Sequence, residues 1–317
     1  MPENPGVDLG LYTDSVPDLS FEAALDLAVE AGTPAIEIAT GGQSSAPHLR
    51  IGELLADADA RHRFVRAFAD RGLRITALNC SAWPLHPVHG PAHEARIRET
   101  FRLAEALEVG TVVSMSGNPG DGPDATTIDW IFYPWPEDAV ALRERQWAAG
   151  LELWASLALD AAAHGVERIA FELHPLHLVY NVPTLRRLRA AVGPILGANL
   201  DPSHLFWQRM DPLAVIRDLG PAIHHVHLKD TAVDDDQVAL AGLLDGRPFE
   251  DPAARAWRFV TAGRAHDAAW WRSFVDALAT VGFGGALCIE HEDATQAGPD
   301  GVREAAAFIR PLLPAGS

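Results

Sequence analysis

Lysine is almost missing from this chain. Lys229 stands alone, and arginine supplies every other basic side chain. Basic residues number 25 against 43 acidic ones, a formal net charge of −18. A surface that tracks nucleic-acid phosphates needs clustered positive charge, so this balance argues against such a partner. It fits an enzyme with a small-molecule substrate better. Cysteine is scarce as well. Cys80 and Cys288 are the only two, both in apolar, strand-like runs. That predicts buried free thiols, not a disulfide framework. No apolar run approaches the roughly 18 residues of a membrane span. The opening Met1-Pro2-Glu3-Asn4-Pro5 has no basic region followed by an apolar stretch. No secretory signal is therefore expected, and the expected location is the cytoplasm. With no fixed-period repeat, low-complexity tract or linker, residues 1–317 read as a single domain.

What the chain does have is a regular alternation. Strand-like runs occur at Val7–Leu11, Ala35–Ile38, Ile75–Cys80, Thr111–Ser116, Arg168–Leu173, Ile195–Asp201, Ile223–Lys229 and Ala286–Glu290. Between them, apolar residues recur at helical spacing over Phe21–Ala31, Arg61–Arg71, Glu94–Leu107, Ala139–His164 and Trp270–Val281. Glycine follows several of these, as at Gly32, Gly72, Gly165 and Gly282, the usual helix stop. Eight βα units predict an α/β chain with a parallel sheet closed into a single (β/α)₈ TIM barrel, which typically takes about 250 residues. The alternative, an open doubly wound sheet, lacks the glycine-rich turn after its first strand. Two connections exceed ordinary βα loops: Ser116–Glu137 after the fourth strand and Thr231–Asp267 after the seventh. Both are expected over the C-terminal face, where barrel active sites are built. Trp130, Tyr133, Trp135, Trp207 and Trp257 could wall a sugar site there, or simply pack the loops. Asp234-Asp235-Asp236 reads as a solvated turn.

Four segments run from apolar residues directly into metal-ligand residues: FELHP (171–175), NLDPSH (199–204), HVHLKD (225–230) and IEHED (289–293). Buried carboxylates are costly unless paired, hydrogen-bonded or metal-bound. If the four strands are neighbours, Glu172, Asp201, His227 and Glu290 converge. Three carboxylates and one imidazole suit a single divalent cation, Mn²⁺ first, with Mg²⁺, Co²⁺ or Zn²⁺ as alternatives. Such a cation can hold a carbonyl and its neighbouring hydroxyl and stabilise an enediolate, while Glu172 and Glu290 act as base and acid. His174 and Lys229 join them as catalytic candidates. A compact ammonium retained in so arginine-rich a chain points to a tight site. His204, His86, His266, Trp207 and Asp230 are candidates for the substrate-binding shell, with Asp230 orienting either His227 or a loop. His225 shares a strand face with His227. His224 points toward the helices, and His291 turns away from Glu290.

In these motifs the chain resembles the xylose-isomerase-like barrel superfamily, and within it the sugar phosphate isomerase/epimerase branch, over about residues 7–313. The resemblance implies metal ligation by Glu172, Asp201, His227 and Glu290. It also implies, from the ketose 3-epimerases, an acid/base pair of Glu172 and Glu290. The Asp201-x-x-His204 pattern resembles one whose histidine contacts substrate oxygens. Lys229 stands where those epimerases carry an arginine, which leaves the sugar open. Endonuclease IV resembles the same patterns but needs three zinc ions and further histidines. Here the fourth strand ends in Ser114-Met115-Ser116. Some similar proteins are C-glycoside deglycosidases that cleave 3-keto glycosides by metal-assisted elimination, as the larger subunit beside a small β-rich partner. The readings are thus a sugar isomerase or epimerase, a keto-glycoside lyase, or a non-catalytic sugar-binding or scaffold barrel. The partners implied are a sugar or glycoside and either further copies of this chain or a small β-rich subunit, with no nucleic acid and no membrane.

Overall fold

A computed structural model describes residues 6–314; the opening Met1–Pro5 lies outside the described residues. The strands are β1 (Asp8–Tyr12), β2 (Ala35–Gly42), β3 (Arg74–Ser81), β4 (Thr111–Ser114), β5 (Arg168–Glu172), β6 (Leu196–Leu200), β7 (Ile223–Leu228), β8 (Asp230–Val233), β9 (Trp257–Val260) and β10 (Ala286–Ile289). Eight of them close a barrel in the order β1-β10-β7-β6-β5-β4-β3-β2. Neighbouring strands pair parallel, among them β1 with β10 and β2, β10 with β7, and β3 through β6 in turn, as the alternation of strands and helices requires. The remaining two, β8 and β9, pair antiparallel, Asp230 opposite Val260 and Val233 opposite Trp257. Sequence reading left that stretch as a plain loop. Among the described residues no helix is long and apolar enough to cross a membrane.

The chain divides into two compact units. The first takes the chain up to Glu37, then Ala67–Arg74 and everything from Leu200 onward. In it β1 pairs with β10 and β10 with β7. Helices Phe21–Ala31, Pro212–Leu219, Ala268–Thr280 and Gly298–Ile309 cover these strands with their apolar faces. Side-chain caps fix where helices start: Ser20, Asp211 and Asp267 each accept an N–H from the first turn. The second unit, Ile38–Arg66 and Ile75–Asn199, carries β3 to β5 and most of β6. Its long helix Glu137–Ala163 buries Trp154 edge-on against Phe171 at 4.4 Å, and the indole N–H donates to Ser116 O at 2.9 Å. That bond anchors the start of the long connection after β4 beside the end of β5. The glycines expected to stop helices, at 32, 72, 165 and 282, all have φ between 63° and 77°, a left-handed conformation that needs no Cβ.

Close approach leaves no room for a side chain at Gly10. It lies opposite Cys288 of β10 and Ala35 of β2. A Cβ there would sit 2.6 Å from the Cys288 sulfur and 3.0 Å from the Ala35 carbonyl oxygen. Both cysteines are buried free thiols, as the sequence predicted. Burial pushes the Cys80 thiol up to about 12. We expect Gly10→Ala to destabilise the fold by about 1–3 kcal/mol through overpacking. Adding Cys288→Ala should recover part of the loss, as urea denaturation of the single and double variants would show.

Candidate active site and metal centre

Each of the four motifs lies at the end of a barrel strand. β5 closes on Glu172, and Asn199 of β6, its register partner, donates to Glu172 Oε2 at 3.4 Å. β6 runs into Asp201, whose Oδ1 accepts the Ser203 N–H at 2.8 Å and so caps the short helix Pro202–Trp207. His227 lies within β7, and Glu290 follows β10. Glu172, Asp201, His227 and Glu290 each offer one ligand atom, and all four atoms lie within 4.8 Å of one another. Glu172, His174 and His204 form a second, overlapping group by the same measure. The first donor set is three carboxylate oxygens and one imidazole nitrogen, which suits a hard or borderline divalent cation.

Lys229 belongs to this centre. It is 1% exposed. Its ammonium lies 3.1 Å from Asp201 Oδ2, 2.7 Å from Glu290 Oε2 and 2.8 Å from Glu292 Oε2. The compact ammonium donates to Glu290 and Glu292 and pairs by charge with Asp201, a convergence on one nitrogen that a planar guanidinium could not reproduce. The ammonium also stands 4.8 Å over the Phe259 ring, against which His204 packs edge-on at 5.2 Å. His204 Nε2 is 3.4 Å from Asp201 Oδ2. Phe259, Phe249, Arg258, Glu292 and Asp293 help line a cavity of about 240 Å³ beside Lys229. Glu292 was not singled out from the sequence, although it stands two residues after Glu290.

A second residue escaped the sequence reading. Glu37 of β2 is fully buried, and its Oε2 accepts from His225 Nε2 at 2.7 Å and His227 Nε2 at 2.9 Å. Burial alone would raise its carboxyl. The two imidazoles outweigh that and hold it well below the ordinary carboxylate range. The available signal was a lone glutamate inside the apolar run AIEIA. On its other edge His227 presents Nδ1 to Glu290 Oε2 at 3.0 Å, and Tyr12 stacks on its ring at 5.5 Å. His225 does share the face of His227, as expected.

Other candidates are placed differently. Trp207 stacks flat on Trp257, 4.6 Å apart and 3° from parallel, inside an apolar cluster with Ala256. It packs against the β8–β9 pair. His86 accepts the Val88 and His89 N–H groups on Nδ1 and lies against the His89 ring. That makes it a turn-forming residue of its own loop. Trp130 is tied down by donation to His177 O, whereas Tyr133 and Trp135 are exposed. Asp234 caps the short helix Asp235–Ala241, so Asp235 and Asp236 form a helix's first turn where the sequence predicts a solvated turn.

An eight-stranded parallel barrel with a four-residue candidate cation centre at its strand ends defines the class. The chain belongs to the xylose isomerase-like TIM barrel family, whose model matches residues 25–312. It is 40% identical over 309 residues to the uncharacterized protein YfiH of Bacillus subtilis (strain 168), covering 96% of this chain and 99% of that one. Among solved structures it is similar to the IolI protein with a bound zinc atom (TM-score 0.67, 17% identity, 96% and 98% coverage). It is also similar to D-psicose 3-epimerase with D-tagatose from Clostridium cellulolyticum H10 (TM-score 0.63, 14% identity, 97% and 99% coverage). At these identities the two structures speak for the fold alone.

Asp230 orients a loop and not His227. Its Oδ2 accepts the N–H groups of Gly263, Ala265 and His266, and its Oδ1 accepts from Thr231 N and lies 2.6 Å from His266 Nδ1. The His266 ring in turn stacks on Phe206 at 3.8 Å. We expect Asp230→Ala to cost about 2–3 kcal/mol of stability, since several bonds to one buried charge are lost together. Chemical denaturation would measure it, and limited proteolysis should show residues 261–267 newly cleavable.

Proposed function

We propose that this chain is a divalent-metal-dependent sugar isomerase or epimerase that moves a proton next to a substrate carbonyl. The observation that carries the reading is the presence of Glu172 and Glu290, two carboxylates from different strands, in one ligand group with Asp201 and His227. A divalent cation held by these four residues would supply Lewis-acid polarisation of the carbonyl. Glu172 and Glu290 take the two proton-transfer roles, one removing the carbon-bound proton and the other returning one. Lys229 holds Glu290 and Glu292 in position and sets positive charge beside a developing substrate oxyanion. His174 and His204 share a ligand group with Glu172 and are assigned to substrate oxygens. Mn²⁺ is the first choice of metal, and the zinc bound by the structurally similar IolI protein keeps Zn²⁺ in the comparison. The D-psicose 3-epimerase likeness supports a ketose as substrate. The chain acts as one barrel domain, either as a homo-oligomer or beside a small β-rich subunit.

A second reading, elimination from a 3-keto glycoside, is favoured by one observation. The cavity next to Lys229 has Phe249 and Phe259 in its wall, a surface suited to an apolar aglycone. The two reactions share the first proton abstraction and differ in whether a group leaves.

Metal analysis of protein purified without chelator, before and after incubation with Mn²⁺, should give close to one ion per chain. Turnover in D₂O should then place deuterium next to the carbonyl of an accepted ketose. Release of an aglycone from a 3-keto glycoside would select the second reading. Glu172→Gln and Glu290→Gln should each lower turnover by about 10²–10⁴-fold. Most activity surviving in either variant would remove the acid/base assignment. Lys229→Arg should cost far more in turnover than in melting temperature, and an unchanged rate would make Lys229 incidental.

A further inference from the structure

The geometry points to Glu37 as the positioning residue that decides which nitrogen of His227 faces the metal centre. This rests on the metal-dependent reading above, but the chemistry is local to the buried Glu37. A carboxylate oxygen accepts hydrogen bonds and donates none. Two imidazole nitrogens, His225 Nε2 and His227 Nε2, approach the same Glu37 oxygen at 2.7 Å and 2.9 Å. Each of those nitrogens must therefore carry its proton. For His227 this leaves Nδ1 as the nitrogen turned to the cluster, 3.0 Å from Glu290 Oε2. In a neutral ring that would set two lone pairs face to face. The approach is favourable only with a proton or a cation between them. Glu37 thus makes His227 a ligand through Nδ1 and disfavours the neutral tautomer that carries its proton on Nδ1. A carboxylate behind a ligating imidazole also raises its basicity.

The neighbours of Glu37 support this assignment. Tyr12, its register partner on β1, stacks on the His227 ring within 15° of parallel and fixes the ring plane. His225 crosses His227 edge-on at 83° and adds the second proton to the carboxylate. Cys288 stands on a third side. Glu37, His225 and Cys288 also offer ligand atoms within 4.8 Å of one another. They are better described as a hydrogen-bonded group than as a second metal site. The His225 to Glu37 separation of 2.7 Å is that of a hydrogen bond. Burial and the adjacent Glu37 charge also push the Cys288 thiol well up.

The test is a two-bond ¹H–¹⁵N correlation spectrum of full-length protein labelled with ¹⁵N-histidine, recorded without metal and with Zn²⁺, together with Zn²⁺ affinity from competition with a chromophoric chelator. In the wild type, Nε2 of both His225 and His227 should be protonated in either state, and Zn²⁺ should shift the His227 Nδ1 resonance. Glu37→Gln, a neutral near-isostere, should weaken Zn²⁺ binding by about 10–100-fold and let His227 populate the other tautomer. His225→Asn keeps Glu37 and should change affinity several-fold less. An unprotonated His227 Nε2 in the wild type, or zinc attached through Nε2, overturns the inference. So does an unchanged affinity in Glu37→Gln. Failure of the wild type to take up any metal would count against the proposed function instead. Even then, or if Glu37→Gln did not fold, the wild-type spectrum by itself would still decide the tautomer.

Discussion

A charge removed from water has to be matched, and that requirement organises the site end of this barrel. Glu172, Asp201, Glu290 and Glu37 are all largely withdrawn from solvent, and each alone would cost several kcal/mol. Two devices offset the cost. Lys229 spreads one ammonium over Asp201, Glu290 and Glu292. His227 joins Glu37 to Glu290 across one ring. Both devices begin on β7 and its immediate exit, so a six-residue segment, HVHLKD, touches every carboxylate that the first unit contributes. The strand's apolar neighbours fix its register, and the register fixes the chemistry.

The eight barrel strands and the grouping of the four candidate side chains at their ends were legible in the sequence because each motif couples a buried run to a group that tolerates burial only with a partner. Predicted strand ends agree with the observed ones to within a residue or two, the usual uncertainty of such boundaries, except that β2 runs on four residues past Ile38 to Gly42. The β8–β9 hairpin was not legible. Its strands are four residues each, separated by more than 20 residues, with Asp234 to Asp236 between them. They are held by antiparallel pairing with each other and by the apolar cluster in which Trp207 stacks on Trp257.

Glu37 shows a different limit. A glutamate inside a strand reads as an outward-facing residue of a half-buried sheet, because alternation is the usual signal. In a barrel covered on the outside by helices and filled inside, both faces are buried, and a charged residue on either must have a partner far away in sequence. That partner, His225, is 188 residues distant. No local pattern encodes such a pairing. The link between Asp230 and His266, 36 residues apart, was illegible for the same reason. Ligand identity can be read along the chain, but what stands behind a ligand is a property of the closed sheet.

The solitary lysine also determines how this protein meets electrophiles. Every surface cation on a side chain is a guanidinium or an imidazole, and the one ε-amine lies enclosed by carboxylates under an aromatic ring. Reagents and enzymes that modify lysine side chains find the one ε-amine buried, with Lys229 1% exposed. The ammonium becomes available to them only when the barrel opens. The chemical reactivity of one nitrogen is thereby a direct readout of whether the site end of the fold is intact.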